Sequence, residues 1–513
     1  METGGVIILD FGSQYTKLIA RRVREENIYS KIFPHNISLK EISKSKPEAI
    51  ILSGGPSSVF SDNALKIDPR ILELPVPILG ICYGLQLLAH SYNGQVEEKN
   101  SGEYGISKLN ISRSNDIFSK VPDSINTWMS HMDQVTKVPP NWNILAKSSN
   151  GIIAAVSNED SSRIGLQFHP EVVHTEYGKE ILRNFLIKIA KCSTDWNASN
   201  YINDQISKIK EEVGDSKLII GVSGGVDSTV AAALIHKAIG DQSIAVLIDH
   251  GLMRKNEAET CVAALKKGLG VNIHSFDESS IFLSRLENKK HPEEKRKIIG
   301  NQFISSFEKI SKQFGDIKFL AQGTLYPDVI ESGFGVGGKS HTIKSHHNVG
   351  GLPKNMNFSL IEPLRELFKD EVRKVGIELG LPSDLVQRHP FPGPGLAVRI
   401  IGKITKKRVK ILQEADNIFI DVLHEDGLYN DIWQAFAVLI PIKTVGVMGD
   451  QRTYENLLAL RAVTSIDGMT ADWFKIPDDT LAKASNKIVN SVKGINRVVY
   501  DITSKPPGTI EWE

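Results

Sequence analysis

Residues 219–230 read I-I-G-V-S-G-G-V-D-S-T-V. A run of β-formers breaks into Ser-Gly-Gly and resumes as small and apolar residues, so a strand passes through S223-G-G-V-D-S-T229 into a helix that continues A-A-A-L-I-H-K. Such a turn sets backbone N–H groups and a positive helix end at the carboxyl edge of a sheet, which makes an anion cradle. Gly224 and Gly225 lack Cβ and let the main chain, Val226 included, approach a phosphate, while Ser223, Ser228 and Thr229 can add hydroxyl donors. Asp227 is an acid inside an anion site, and it makes sense there mainly if a cation such as Mg²⁺ bridges it to the phosphates. The stretch is neither a G-x-x-x-x-G-K-[ST] loop nor a G-x-G-x-x-G fingerprint. A capped strand-to-helix turn with no ligand uses the same residue types.

Around this turn, Lys217–Val222, Ser243–Ile248, Val271–Ser275 and Lys318–Ala321 read as buried parallel strands separated by helix-length segments. F391-P-G-P-G-L396 ends the segment, because its prolines and glycines suit neither helix nor strand. Upstream, Val6–Leu9, Ala49–Leu52, Pro77–Ile81, Ile152–Val156 and Ile164–Gln167 alternate with helix-like stretches up to a polar interruption, C192-S-T-D-W-N-A-S-N200. Downstream, helix-like and strand-like runs such as Thr444–Met448 and Val498–Ile502 are mixed. A single core stops growing near about 250–300 residues, so 513 residues divide here into 1–196, 197–390 and 391–513. The expected fold class is α/β, with two α/β domains followed by a small α+β domain.

Composition narrows the function classes. Lys+Arg at 61 against Asp+Glu at 60 leaves no net field for nucleic acid or an anionic membrane, so phosphate binding has to be local. Cys82, Cys192 and Cys261 are scattered and odd in number, which fits a reducing cytoplasm rather than a disulfide framework or a structural zinc site. The N-terminus lacks a signal-peptide pattern and no run approaches about 18 apolar residues. A cytoplasmic protein without membrane or nucleic-acid partners is expected.

A second constellation lies in the first region. P77-I-L-G-I-C-Y-G-L-Q86 puts Cys82 between a buried strand and a helix start, a nucleophile's elbow in which the helix N-terminus favours thiolate. A cysteine in an apolar run can equally be an inert core residue. Q167-F-H-P-E171 places His169 and Glu171 on one side of an extended segment, so a carboxylate can orient an imidazole. His169 would take the thiol proton and return it to a leaving amine. L52-S-G-G-P56 offers the Gly55 N–H, and the peptide after the nucleophile offers the Tyr83 N–H, as oxyanion donors.

These motifs carry resemblances. S-G-G-V-D-S resembles the pyrophosphate loop of the ATP pyrophosphatase superfamily, an adenine-nucleotide α-hydrolase-like fold whose members adenylate a carbonyl oxygen. G-I-C-Y-G-L-Q with H-P-E and S-G-G-P resembles the class I glutamine amidotransferases, which release ammonia from glutamine. End to end, the chain resembles the glutamine-hydrolysing GMP synthase family, on I8-L-D-F-G-S-Q-Y-T16, H389-P-F-P-G-P-G-L-A397, V445-G-V-M-G-D450 and T503-S-K-P-P-G-T-I-E-W-E513.

The resemblance implies that glutamine, ATP and xanthosine monophosphate (XMP) are substrates, that ammonia passes between sites, that Mg²⁺ accompanies ATP with no prosthetic group, and that the C-terminal domain forms a homodimer and helps bind XMP. It places Asp249 in the nucleotide site, although a helix cap explains that residue as well. For XMP it implies Lys505 at the phosphate and Glu511 at the purine or ribose, with a terminal K-P-P-G turn bearing a solvated lysine as the other reading. Arg296 is a candidate for the XMP phosphate or part of a solvated helix face, and Asp450 is a purine contact or a loop acid. The glycine-rich stretch 333–353 reads as a lid in which Lys339 and Lys344 offset charge at the α-phosphate. Other glutamine-dependent adenylating ligases, a tRNA-modifying enzyme and a nucleotide sensor that lost turnover are the competing readings.

Overall fold

The computed structural model describes residues 4–61, 64–112, 115–333, 358–448, 451–465 and 470–513. Lys339, Lys344 and Asp450 lie outside them. The chain divides into two compact units, Met1–Asp204 together with Pro327–His341, and Gln205–Tyr326 together with Thr342–Glu513.

In the first unit the strands are β1 (Val6–Asp10), β2 (Ser30–Pro34), β3 (Ala49–Leu52), β4 (Ile78–Ile81), β5 (Gln95–Ile111), β6 (Ser124–Lys137), β7 (Asn143–Ser148), β8 (Ile153–Ser157) and β9 (Arg163–Leu166). They form one sheet in the order β2-β1-β3-β4-β9-β8-β7-β5-β6. Its β2-to-β9 half is parallel and the remainder antiparallel. β3 and β4 are buried at every position, as the unbroken apolar runs A-I-I-L and I-L-G-I require of strands covered on both faces. Because β3, β4 and β9 are parallel neighbours, the loops leaving their carboxyl ends converge. Those loops carry Ser53-Gly54-Gly55, Cys82 and His169.

The second unit repeats this logic. β10 (Leu218–Val222), β11 (Ser243–Asp249), β12 (Ile273–Asp277), β13 (Phe319–Ala321) and β14 (Ser359–Ile361) form a fully parallel sheet in the order β12-β11-β10-β13-β14. The carboxyl ends of β11, β10 and β13 therefore bring Asp249, the Ser-Gly-Gly turn and Gly323 to one edge. β15 (Gln434–Met448), β16 (Gln451–Thr464), β17 (Asp472–Trp473) and β18 (Ile495–Tyr500) make a separate sheet, with β18 parallel and the others antiparallel to β16.

One buried cluster runs from Ile219, Val246 and Phe307 to Leu412, Phe419, Leu458 and Ile488, so a continuous core crosses the Pro-Gly stretch at 391–396. The expected strands are present, displaced by two or more residues at β12 and β18. Among the described residues no helix is long and apolar enough to cross a membrane.

Candidate functional site

Cys82 ends β4 and precedes the helix Tyr83–Ser91, with φ 51° and ψ −104°. That backbone conformation is costly for any residue bearing a Cβ and persists only where the surroundings impose it. The flanking glycines allow the tight turn. A Cβ on Gly80 would lie 2.5 Å from the Gly84 carbonyl carbon, and one on Gly84 would lie 2.5 Å from the Leu52 carbonyl oxygen. The Cys82 N–H donates to Leu166 O at 2.7 Å, which ties the elbow to β9.

His169 Nδ1 is 2.8 Å from Glu171 Oε1, and both side chains are buried. The His169 backbone is pinned by its N–H to Trp128 O (3.0 Å) and by the Thr175 hydroxyl donating to its carbonyl (2.7 Å). Tyr15 meets the ring edge-on, with centroids 5.1 Å apart. Burial opposes the imidazolium, yet the Glu171 charge and the hydrogen bonds with Cys82 and Glu171 outweigh it and raise the His169 pKa to about 10. The Ser-Gly-Gly turn reaches the same point, since a Cβ on Gly54 would lie 3.2 Å from His169 Cε1 and 3.6 Å from Cys82 Cβ. Ser53 fixes that turn by accepting from Phe11 N (3.0 Å) and donating to Gly54 O (2.8 Å). The Tyr83 N–H, first in its helix, has no acceptor within the helix.

Sequence reasoning missed the next layer. Gln167 Nε2 lies 3.7 Å from Cys82 Sγ, and β6 brings Ser130 O to 3.6 Å. Beside them, buried His131 donates from Nδ1 to Asp133 O (3.1 Å) and faces Glu103, and burial lowers its pKa. The H-x-D spacing in W128-M-S-H-M-D was the available signal.

In the second unit Gly224 has φ +76°, and Gly225 caps the helix Val226–Ile239. A side chain at Gly224 would be strained and would meet Met253 Cε at 2.8 Å. Ser223 and Ser228 hydroxyls stand 3.1 Å apart at the exposed lip of the turn. Thr229 is placed differently from the expectation. Its hydroxyl donates to Gly225 O at 2.8 Å, as the Ser228 hydroxyl does at 3.1 Å, but Thr229 is buried while Ser228 is half-buried, so burial is what withdraws Thr229 from the lip.

Asp227 Oδ2 accepts from Lys369 Nζ at 2.9 Å, while Oδ1 is buried without a partner. Lys369 is a second finding that the sequence did not show. Asp249 is not a helix cap, because its Oδ1 accepts the Gly251 N–H at 2.8 Å in a tight turn and burial raises its pKa.

The expected XMP residues are held by the C-terminal tail. Glu511 carries several protein partners. Its carboxylate takes Arg399 Nε and NH2 at 3.0 and 2.8 Å and Gln434 Nε2 at 2.8 Å. Arg296 NH2 donates to the Glu513 backbone oxygen at 2.6 Å, and the neighbouring buried Lys295 pairs with the Glu513 side chain. Lys505 exchanges backbone hydrogen bonds with Ala471. Arg399 is fully buried, so Glu511→Ala would strand its charge, and a loss of about 3–5 kcal/mol in the unfolding of this unit is expected. Urea denaturation of the variant checks this, and an unshifted transition would contradict it.

Family models match three stretches. They are glutamine amidotransferase class-I over residues 7–189, NAD synthase over 198–303 and GMP synthase C terminal domain over 421–512. The glutamine-hydrolysing GMP synthase of Chlorobaculum tepidum is 56% identical over 515 residues, covering 99% of this chain and 99% of its own. That of Brachyspira hyodysenteriae is 53% identical over 508 residues with the same coverage, and that of Lactobacillus gasseri is 52% identical over 509 residues, covering 99% and 98%.

Proposed function

The chain belongs to the glutamine-hydrolysing GMP synthase family, ligases that aminate XMP to GMP with glutamine and ATP, and we propose that Cys82, His169 and Glu171 release the ammonia while the Ser223–Ser228 turn holds the departing pyrophosphate. The observation that carries this reading is the meeting of His169, held by Glu171 at 2.8 Å, with the elbow cysteine at the carboxyl ends of β4 and β9.

The Cys82 sulfur attacks the glutamine Cδ, and the carbonyl oxygen gains charge opposite the Tyr83 and Gly55 N–H groups. His169 passes a proton to the departing ammonia, leaving a glutamyl thioester. It then takes a proton from the water that releases glutamate. In the second unit the C2 oxygen of XMP attacks the α-phosphorus of ATP, and pyrophosphate leaves toward the N–H groups of Gly224, Gly225 and Val226 and the hydroxyls of Ser223 and Ser228. Ammonia adds at C2 and AMP departs with the oxygen.

Asp227 Oδ1, buried and unpartnered, fits a hard cation, and Mg²⁺ bound there with the phosphates would offset their charge. Asp249 would stand near the nucleotide, Arg296 and Lys505 near the XMP phosphate, and Glu511, bonded to Arg399, near the purine or ribose. Lys339, Lys344 and Asp450 keep their lid and purine roles as proposals. A cytoplasmic homodimer completes the reading. Val445, Val447 and Tyr454 expose apolar surface on β15 and β16, where Val445 and Tyr454 are register partners, and a second copy would cover it.

An electrophilic glutamine analogue tests the nucleophile. Peptide mapping should find its adduct on Cys82, because burial pushes the Cys192 thiol up to about 12 and also raises that of Cys261. An adduct elsewhere would refute the assignment.

The His169–Glu171 pair also sets a pH dependence. Below about 6.5 both folded and unfolded histidine are protonated, and the full stabilisation is present. Between there and about 10 the folded state binds more protons, so stability falls as pH rises and the contribution is gone above. The Tm difference between the unaltered chain and Glu171→Gln should therefore be largest near neutral pH or below and vanish toward pH 10. A difference that grew with pH would reverse the sign.

A further inference from the structure

The second unit holds a cavity of about 410 Å³ that takes in none of the Ser-Gly-Gly turn, Lys505 or Glu511. One wall is the helix Lys369–Glu378, which presents Arg373, Lys374 and Ile377. The segment Tyr429–Trp433 also lines the cavity, and Gln387 and His389 complete the lining.

The lining is rigid at His389. His389, Tyr429 and His424 stack with centroids 3.9 Å apart at each step and interplanar angles of 11° and 20°. His389 Nδ1 accepts from Ala435 N at 3.1 Å, and its Nε2 lies 2.9 Å from Tyr429 O. A cavity held this way loses little freedom when a ligand enters.

Its chemistry is divided. Arg373 and Lys374 have no carboxylate partner among the described residues, and Arg373 Nε is buried without any hydrogen bond, although its NH2 donates to Arg388 O at 3.3 Å. A guanidinium left in that state is a site for a planar or tetrahedral oxyanion. Ile377 on the same helix is half exposed and Trp433 partly so, which adds apolar surface to the lining. Asn430 and Asp431 add polar groups to the lining. A bare phosphate would satisfy the cations but leave the apolar surface wet and meet the Asp431 carboxylate unfavourably. A ligand that combines an anion, a flat ring and N–H or hydroxyl donors matches this mixed lining. The volume lies within the range of about 300–1,000 Å³ usual for small-molecule sites.

We propose that this cavity binds a purine nucleoside monophosphate at a site separate from the reaction centre, with its phosphate on Arg373 and Lys374 and its base against Trp433 and Ile377. Both nucleotide products of the reaction, GMP and AMP, belong to this class.

Equilibrium dialysis of the full chain with radiolabelled GMP, and in parallel AMP, at saturating XMP tests the assignment. At least one of the two is expected to bind once per chain in a manner XMP does not displace. Lys374→Glu, at an exposed position, and Arg373→Gln, which keeps a donor for Arg388 O, are each expected to weaken that binding about ten-fold or more. Inorganic phosphate should compete only at concentrations roughly a hundred-fold higher. The proposal is overturned if XMP displaces all bound nucleotide, or if binding survives both substitutions unchanged. Displacement by phosphate as effective as by nucleotide would leave an anion site and remove the nucleoside. Ammonia-dependent GMP synthesis by the unaltered chain reports separately on the reaction itself, so failure of either reading is seen on its own.

Discussion

Cys82→Ala is expected to lower glutamine-dependent GMP synthesis by at least about 10⁴-fold while ammonia-dependent synthesis stays within about two-fold of the unaltered enzyme. Removing the nucleophile of a triad forfeits nearly all of the advantage its members supply together, because the imidazole and carboxylate have nothing left to activate. Alanine is the informative replacement. It keeps a Cβ, so the backbone at φ 51° is no more relaxed than with cysteine, and it removes one sulfur from a site only 5% exposed. The Ser223–Ser228 turn and Asp249, assigned to adenylation, belong to the other compact unit and to a different sheet. Steady-state rates with glutamine and with ammonium, measured on the same preparation, separate the half-reactions. A folded variant that lost both activities would show that Cys82 supports the architecture rather than the chemistry.

The two sheets were legible in the sequence because their strands are unbroken apolar runs followed by glycine-rich turns. The elbow at Cys82 and the cradle at Gly224 follow from that local pattern, and so does the approach of His169 to Glu171 two residues away. What escaped reading is pairing across long separations. Lys369 meets Asp227 from 142 positions along the chain, and Arg399 meets Glu511 across 112. A charged residue in a helix-like stretch looks solvated until the fold supplies its partner. Thr229 differs for a local reason, since one turn into the helix its hydroxyl is buried against the backbone. The antiparallel half of the first sheet was also hidden, because β6 alternates in burial but places polar Thr127, His131 and Asp133 on its inward face, and its pairing with β5 carries register shifts.

The Lys369 contact leads to the second large effect. An acid in an anion cradle called for a cation, and the structure provides one in protein form, leaving only Oδ1 of Asp227 for Mg²⁺. The expectation for Lys369 is therefore double. Before the nucleotide arrives it offsets Asp227, and on turnover its ammonium is expected to counter the charge that builds on the departing pyrophosphate. Lys369→Ala should then reduce synthesis from both nitrogen donors by about 10²–10³-fold, the usual consequence of removing one donor from a developing anion. Glutamine hydrolysis should persist, because the triad lies in the other unit. The kinetic split distinguishes the two duties. Loss in kcat with ammonium, at near-normal KM for ATP, places the lysine on the transition state. A rise in KM alone would reduce it to a counter-ion for Asp227, and unchanged ammonia-dependent synthesis would remove it from the site altogether.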